Sequence, residues 1–455
     1  MSQQPVIAVF DVGKTNKKLL LFNEAYEVVY EESCQLPETT DEDGFACEDV
    51  EVLSSWVLNT YNAICKNEAF LIKAVNFSAY GASFVYLDAD GNLMPPLYNY
   101  LKPFPDALKQ QFYTTYGGDS LVAKQTASPV LGNLNSGMQL YRLKYQNPAF
   151  FTTVKTALHL PQYLSYLLSN TTQTDITSIG CHTNLWHFQK NNYHKWVKQE
   201  GLLEKFAPLK SCKELAAEKE GKAVGSGLHD SSAALIPYLA TFTEPFALLS
   251  TGTWCITLNP FNHTQLSDYE LHNDCLCYLS YEGMPVKASR LFAGYEHEQQ
   301  VKLLATHFNK PADYYKTVTA NAALIKKMQP NADATVQQPQ QVMVAQSKFG
   351  NRKLSGFADY ETAYHQLIAD IVEQQIRSTN LVLKGTSVKR IFVDGGFSKN
   401  PIYMQLMALA YPGLEVYAAD VAQATALGAA LALHSYWNTQ PLPVNLISIT
   451  RYTNQ

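Results

Sequence analysis

Charge is scarce in this sequence of 455 residues, and its basic residues form no long cluster. Asp, Glu, Lys and Arg make up 16% of the chain, whereas roughly 25% is typical of soluble domains. The net charge of -5 comes without a run of Lys and Arg that could follow a phosphate backbone. We therefore expect no nucleic-acid partner and a small-molecule partner instead.

Long apolar segments are missing as well. No uninterrupted apolar stretch approaches the roughly 20 residues of a membrane-spanning helix. The start, MSQQPVIAVFD, lacks the basic and apolar regions of a secretory signal. These absences predict a cytoplasmic protein without a membrane partner.

Closely spaced metal ligands are also missing. The eight cysteines are scattered, and the pair Cys275 and Cys277 lacks the two-residue spacing of a zinc knuckle. His182 and His187 would point in different directions on a helix. His297-Glu298 resembles the start of a zincin motif, but Val301 stands where the second histidine of that motif would be. The pattern predicts reduced cysteines and no protein-ligated transition metal.

The chain is long enough for two domains, since single cores stop growing at about 250–300 residues. Apolar runs of strand type alternate with helical patterns in both halves. We therefore expect an α/β fold with domains at 1–240 and 241–455 and a boundary between Pro237 and Pro245.

The sequence also predicts several individual elements. One helix is expected to start at Pro161, and two more to cover 296–308 and 363–376. The other expected elements are a hairpin turned at 88–92, a strand, Gly turn and helix over 388–410, and a Gln/Pro-rich surface insertion at 328–341.

The stretch IAVFDVGKTNKKLLLFN, Ile7 to Asn23, predicts a strand, a turn and a second strand. Its Gly13-Lys14-Thr15 matches the end of a Walker A motif, but Ala8 stands where that motif needs glycine. The run after the turn also has the pattern of a strand rather than of a phosphate-binding helix. What is left is a hairpin whose N–H groups, hydroxyls and lysines could cradle phosphate, with a plain surface turn as the alternative.

A second passage repeats this pattern about 240 residues later. Phe246–Asn259 places Ser250-Thr-Gly252-Thr253 between two apolar runs, and FVDGGFSKNP places Gly395-Gly396 between a strand and a helix. Two phosphate-type turns in two halves, with a glycine pair that can lie against a nucleotide, predict the arrangement of actin-like ATPases.

In this order and spacing, the motifs resemble those of the FGGY family of carbohydrate kinases, most nearly its rhamnulokinase branch. The resemblance covers nearly the whole chain and is carried by Asp11–Lys18, His229–Ala233, Ser250–Trp254, Gly395–Asn400 and Gln423–Ala432. It implies two actin-like (ribonuclease H-like) ATPase domains with the active site in the cleft between them. It also implies transfer of the γ-phosphate of ATP, with Mg²⁺, to a hydroxyl of a ketose or related sugar, by a monomer or homodimer.

The resemblance also assigns roles to residues. Asp230 matches the catalytic base, which takes the proton of the attacking hydroxyl and contributes roughly 10²–10⁴ in rate, and Asp11 matches the residue that holds Mg²⁺ through water. From the sequence alone Asp230 could equally be a helix N-cap, and His229 is the second choice for the base. The matched nucleotide-binding positions are Lys14, Thr15, Asn16, Lys17, Lys18, Thr253, Gln299, Gly396 and Asn400.

The sugar site departs from the rhamnulokinase pattern. The matched positions are Tyr80, Gly81, Ser83, His229 and Ser231. Tyr80 stands in place of Trp, Ser83 in place of an acidic residue, and Leu291 in place of Asn. A site built for particular hydroxyls rejects a sugar that leaves polar groups of the site without a hydrogen-bond partner. With these residues changed, the identity of the sugar is left open among the rhamnulose, fuculose and xylulose types. The alternative function is an actin-like ATPase or a sugar sensor without phosphotransfer.

Overall fold

The computed structural model describes residues 3–328, 347–421 and 423–453. The strands, in chain order, are β1 Gln4–Val12, β2 Lys17–Asn23, β3 Val28–Cys34, β4 Glu38–Thr40, β5 Ala46–Glu48, β6 Phe70–Ala79, β7 Phe84–Leu87, β8 Leu93–Met94, β9 Thr156–His159, β10 Thr174–Asp175, β11 Trp186–His187, β12 Asn192–Tyr193, β13 Leu209–Lys210, β14 Leu215–Lys219, β15 Lys222–Gly225, β16 Leu228–His229, β17 Phe246–Thr251, β18 Cys255–Asn259, β19 Cys275–Leu279, β20 Pro285–Leu291, β21 Arg390–Gly395, β22 Glu415–Asp420 and β23 Ser448–Tyr452.

The α-helices are α1 Val50–Cys65, α2 Asp106–Tyr116, α3 Asp119–Thr126, α4 Ser136–Gln146, α5 Pro148–Thr153, α6 Leu160–Ser169, α7 Ile176–Ile179, α8 Lys195–Gln199, α9 Asp230–Thr241, α10 Asp268–His272, α11 Ala293–His307, α12 Ala322–Lys327, α13 Tyr360–Leu383, α14 Pro401–Ala410, α15 Ala424–Ala432 and α16 His434–Trp437. Beyond Met328, the insertion predicted at 328–341 lies outside the described residues.

The chain forms two compact units, each with its own sheet and core. Of the described residues, the first unit comprises 3–241, 277–285 and 423–446, and the second comprises 242–276, 286–328, 347–421 and 447–453. The expected boundary at 240/241 lies beside the observed change of unit after Thr241. Residues 277–285 and 423–446 depart from the expected division, because they pack in the first unit.

The sheet of the first unit is built on the predicted N-terminal hairpin. The strands are ordered β14-β15-β6-β1-β2-β3, and β16 pairs with β6. β1 runs antiparallel to β2 and parallel to β6. Val6 to Phe10 are fully buried, as expected for a continuous apolar run in a strand covered on both faces. This hairpin confirms the predicted strands, and the strand after the turn excludes a Walker A site.

The sheet of the second unit repeats this arrangement. Its order is β19-β20-β18-β17-β21-β22-β23, with β17 antiparallel to β18 and parallel to β21. The predicted hairpin over 246–259 and the strand–turn–helix over 388–410 are therefore confirmed. The long helix α13 packs in the core of this unit through its buried face, which includes Leu367 and Ile371.

The remaining predicted elements are also present. β7 and β8 form the hairpin turned at 88–92, where the Asp88 N–H donates to the Asn92 carbonyl at 3.0 Å. α6 has proline in its first turn, where the missing N–H costs nothing. In the part of the chain that the structure describes, no helix combines the length and apolarity required to cross a membrane.

Close packing of α15 against α9 explains why 423–446 belongs to the first unit. A Cβ placed on Gly428 would lie 1.9 Å from the carbonyl oxygen of Ala233 in α9. The two helix backbones therefore approach too closely for any side chain at this position. The small residues of α15 are thus a packing surface within the first unit.

We predict that Gly428→Ala lowers the stability of the protein. The added methyl group must displace a backbone carbonyl, and such overpacking costs about 1–3 kcal/mol, more than alanine gains from its helix propensity. Thermal unfolding measures the shift in midpoint. Gly413→Ala is the control, because a Cβ there meets no described atom within 4 Å. Equal midpoints for the two variants would contradict the close helix contact.

Candidate functional site

The carboxyl ends of β1, β6 and β16 meet at one edge of the first unit's sheet. Asp11 in β1 pairs in register with Ser78 of β6, and His229 of β16 pairs with Ala79 of the same strand. Asp230 follows directly as the first residue of α9. The sheet therefore brings together two carboxylates that are more than 200 residues apart in sequence.

Asp11 lies at this edge in a poorly solvated position. Its Oδ2 accepts a hydrogen bond from the Thr425 hydroxyl at 2.7 Å. Burial, together with the smaller effect of the nearby Asp230 charge, raises the pKa of Asp11 to about 6, although the hydrogen bond from Thr425 lowers it. A carboxylate destabilised in this way gains from a bound cation.

Asp230 is the second carboxylate with a raised pKa. Its Oδ1 accepts from the backbone N–H of Ser231 at 2.6 Å and from the Ser231 hydroxyl at 3.2 Å. Burial raises the pKa of Asp230 to about 6 in spite of these bonds, although 33% of the side chain is exposed. An exposed carboxylate with this pKa is suited to accept a proton near neutral pH.

The turn between β1 and β2 presents exposed polar groups. The Gly13 N–H donates to the Asn16 carbonyl at 2.9 Å, and Thr15 and Asn16 are exposed. The half-exposed Lys14 pairs with Glu38 at 2.9 Å. Lys18 also lies half-exposed, 3.0 Å from Glu31 and 3.2 Å from the side-chain oxygen of Gln423.

Lys17 departs from the expected phosphate contact. Successive strand residues point to opposite faces, so Lys17 turns inward while Lys18 does not. Its amine lies 2.5 Å from Glu48, and both side chains are 3% exposed. The Tyr80 hydroxyl donates to the same carboxylate, so Tyr80, expected to contact sugar, packs in the core instead.

Of the other predicted sugar residues, Gly81 lies against His229. A Cβ on Gly81 would be 2.7 Å from His229 Nε2, so glycine allows the imidazole to lie on the backbone. Burial lowers the pKa of His229 to about 3, which keeps the ring neutral. Ser83 is 1% exposed, and its carbonyl accepts from the Leu160 N–H at 3.2 Å. Ser231 donates hydrogen bonds from its N–H and its hydroxyl to Asp230 Oδ1.

Residues missed by the sequence analysis surround the same imidazole. Cys181 Sγ is 3.0 Å from His229 Nε2, and the Tyr278 ring stacks on His229 with centroids 5.7 Å apart. His182 is the third buried neighbour. Their positions in sequence gave no sign of this contact, since it depends on packing between distant segments.

The second unit has a glycine-lined turn at the corresponding end of its sheet. The carbonyl of Thr251 accepts from the Gly396 N–H at 2.8 Å. Gly395 has φ of 86° and a Cβ there would lie 2.0 Å from the same carbonyl oxygen, so only glycine fits. Thr253 is exposed in this turn, and its carbonyl accepts from the Tyr295 N–H at 3.2 Å.

A cavity of about 560 Å³ opens beside this turn. The Asn400 side chain caps α14 by accepting from the Ile402 and Tyr403 N–H groups and donates to the Tyr364 hydroxyl at 2.9 Å. His297 Nε2 is 3.1 Å from that hydroxyl, and burial lowers the pKa of His297 to about 4. The lining residues are Thr251, Gly252, Gly294, His297, Tyr315, Lys316, Val318, Tyr364, Gly396, Phe397, Lys399, Asn400 and Pro401.

The cavity includes two of the residues matched to nucleotide binding and several that were missed. Gly396 and Asn400 line it, as do the unpredicted aromatic rings of His297, Tyr315, Tyr364 and Phe397. Gln299 lies half-buried on α11, two residues past His297 and outside the lining residues. Leu291 packs in the core of the second unit, because it faces inward on β20.

The repeated sheet order and the glycine-lined turns define the actin-like class of two-domain α/β folds. Residues 6–231 match the N-terminal domain of the FGGY family of carbohydrate kinases, and residues 243–441 match the carbohydrate kinase FGGY C-terminal domain. The chain belongs to the FGGY family of carbohydrate kinases.

Known relatives agree with the resemblance inferred from the motifs. A rhamnulokinase of Mannheimia succiniciproducens is 24% identical over 271 residues, 55% of this chain and 52% of the relative. The chain spans about half the length of the curated relatives it matches. A carbohydrate kinase structure from Novosphingobium aromaticivorans has 21% identity and a TM-score of 0.79, over 99% of this chain and 94% of that one.

A xylulose kinase structure from Rhodospirillum rubrum has 15% identity and a TM-score of 0.80, over 100% of this chain and 94% of that one. At these identities the structural likeness shows the fold, and the fold is the two-domain arrangement expected from the sequence.

We predict that Lys17→Met lowers stability by about 3 kcal/mol or more, because it leaves the buried Glu48 carboxylate without its cation. Lys17→Met combined with Glu48→Gln should recover much of the loss, as thermal unfolding would measure. Lys14→Met is the matched control, since its exposed pair contributes about 1 kcal/mol or less. A Lys17→Met variant that is fully stable but binds ATP weakly would instead favour a phosphate contact.

Proposed function

We propose that this protein is an ATP-dependent carbohydrate kinase that transfers the γ-phosphate to a hydroxyl of a ketose, and that it works in the cytoplasm. The observation that carries the proposal is the pair of carboxylates at one sheet edge, Asp11 and Asp230, both with a pKa of about 6. Membership of the FGGY family supports the reaction class. A sensor without phosphotransfer has no use for an exposed carboxylate that titrates near neutral pH.

Asp230 is the proposed general base. An ionised carboxylate with a pKa of about 6 can take the proton of the sugar hydroxyl as that oxygen attacks phosphorus. The Ser231 hydroxyl and N–H bind Oδ1 and fix its direction, so Oδ2 is the oxygen left for substrate. The neutral imidazole of His229, beside Gly81, is proposed to hydrogen-bond the sugar.

Asp11 fits the role of magnesium ligand, since Mg²⁺ prefers hard oxygen donors and keeps much of its water. Bound Mg²⁺ neutralises charge on the transferring phosphoryl group. The exposed turn residues Thr15 and Asn16, with Lys14 and Lys18, are proposed to contact the phosphates. The amine of Lys17 is left out of this set, because it is bound to Glu48.

The cavity of the second unit is the proposed adenosine site. Its volume of about 560 Å³ is within the range of small-molecule sites. Neutral aromatic walls favour a flat, uncharged ring, and burial keeps His297 neutral. Gly396 lets such a ring approach the backbone, and Thr253 extends from the neighbouring turn to contact phosphate.

The sugar is proposed to be a ketose of the rhamnulose, fuculose or xylulose type. The named relatives include a rhamnulokinase, and a xylulose kinase shares the fold. Tyr80 packs in the core of the first unit and is removed from the predicted set of substrate contacts. Leu291, which stands in place of Asn, packs in the core of the second unit. A coupled assay of ATP consumption over ketoses, deoxyketoses and polyols with Mg²⁺ identifies the sugar.

We predict that Asp230→Asn lowers kcat by about 10²–10⁴ and leaves the affinity for ATP unchanged. Its unfolding temperature should not fall, because the substitution removes a poorly solvated charge. Activity is followed with the sugar found in the screen, and ATP affinity by calorimetry. Asp119→Asn, at an exposed helix start, is the control. Unchanged turnover in Asp230→Asn would refute the assignment of the base, and ATP hydrolysis independent of every sugar would favour the ATPase alternative.

The pH dependence of kcat/KM should follow Asp230. The base must be ionised, and burial raises its pKa from 3.8 to about 6. Activity is therefore complete above about pH 7 and falls as the pH drops through about 6, by about tenfold per unit below it. A profile that stays flat down to about pH 5 would contradict this role.

A further inference from the structure

Three buried side chains that could bind a metal converge in the first unit. Cys181, His182 and His229 each offer one ligand atom, and these atoms all lie within 4.8 Å of one another. All three residues are buried. The sequence pattern gave no sign of this cluster, because Cys181 and His229 come from segments almost 50 residues apart.

The histidine tautomer at one corner suits metal binding. His182 Nδ1 is 3.0 Å from the Leu134 carbonyl oxygen, and a carbonyl can only accept, so Nδ1 carries the proton. The lone pair of the neutral ring is then on Nε2. A ring N–H donated to a backbone carbonyl is the usual outer contact of a metal-binding histidine, and it orients the ligand nitrogen.

A fourth ligand is close at hand. Asp230 is not one of the three clustered residues, but its Oδ1 lies 3.3 Å from His229 Nε2. With Asp230 the set would comprise one sulfur, two nitrogens and one oxygen. Zn²⁺ takes these donors in tetrahedral sites, whereas Mg²⁺ prefers oxygen alone. One thiolate and one carboxylate would balance the charge of the ion.

The backbone of Gly81 packs closely against two of these ligand atoms. A Cβ at this position would lie 2.7 Å from His229 Nε2 and 3.4 Å from Cys181 Sγ. A tetrahedral Zn²⁺ holds sulfur and nitrogen roughly 3.6 Å apart, given its bond lengths. Cys181 Sγ and His229 Nε2, now 3.0 Å apart, would therefore separate by roughly 0.6 Å, which the absence of a side chain at Gly81 permits.

We propose that Cys181, His182 and His229, with Asp230 as fourth ligand, form a binding site for a divalent transition metal of the Zn²⁺ class, and that metal in this site inhibits the enzyme. Inhibition rests on the proposed function, since a cation bound at Asp230 Oδ1 would weaken as a base the carboxylate whose Oδ2 is proposed to take the proton of the sugar hydroxyl. Binding releases the thiol proton.

Co²⁺ titration of the full chain tests the site without reference to activity. We expect one Co²⁺ per chain, with the thiolate charge-transfer and tetrahedral visible absorption bands, and displacement by Zn²⁺. Cys181→Ala should abolish the charge-transfer band and weaken binding by more than the roughly 10–100-fold that the loss of an outer contact costs. Cys65→Ser, at an exposed cysteine, is the control and should keep both. Absence of the band in the native protein, or its persistence in Cys181→Ala, would overturn the proposal.

Inhibition of the enzyme by Zn²⁺, measured for the native protein and for His182→Asn, tests the site independently of the Co²⁺ spectra. With Mg²⁺ and ATP saturating, Zn²⁺ should inhibit the native enzyme, a chelator should restore activity, and His182→Asn should need at least tenfold more Zn²⁺. Unfolding temperatures of the variants show that they are folded. Metal binding without inhibition would overturn the link to Asp230 while the spectra still support the site. An inactive Asp230→Asn variant together with a missing band would overturn the metal site and leave the kinase assignment in place.

Discussion

The parallel pairing of β6 with β1 on one side and with β16 on the other is the constraint on which the candidate site depends. Asp11 stands opposite Ser78, and His229 opposite Ala79. A slip of one residue in either pairing would turn the side chains to the opposite face. Val6 to Phe10 are fully buried, so the strand that carries Asp11 to this edge runs through the hydrophobic core of the first unit.

The second unit uses the same hairpin and parallel strand for a different purpose. There glycines at the edge let backbone approach backbone: a Cβ on Gly294 would lie 1.8 Å from the Gly252 carbonyl oxygen. The turn is thereby held close to α11, and the cavity opens where α13 and α14 complete the wall. One topology thus supplies two carboxylates in one unit and, in the other, a cavity walled by glycines and aromatic rings with Lys316 and Lys399 beside them.

Secondary structure and the two-unit plan could be predicted from the sequence, because apolar runs, glycine turns and helical spacing are local signals. The direction of individual side chains could not. Lys17 is one of the five polar residues of the turn motif at 14–18. Strand alternation nevertheless directs its side chain to Glu48, 31 positions away. Leu291 occupies a position matched to substrate binding in relatives and yet packs in a core. Cys181 and His182 carried no motif at all, and only tertiary packing brings them to His229.

The ionisable groups around Asp230 show how burial sets the chemistry of this edge. Desolvation disfavours the charged form of every group, so it raises the pKa of Asp230 to about 6 and lowers the pKa of His229 to about 3. His159, also buried, has a pKa of about 3 for the same reason, with the neighbouring histidines adding to the effect. Although His229 and Asp230 are 3.3 Å apart, no ion pair forms near neutral pH, because the imidazole is uncharged. A protonated His229 would stabilise the carboxylate, lower its pKa and make it a weaker base. The burial that prevents this keeps the imidazole uncharged, as its proposed contacts with a neutral sugar or, together with Cys181, with a metal ion require.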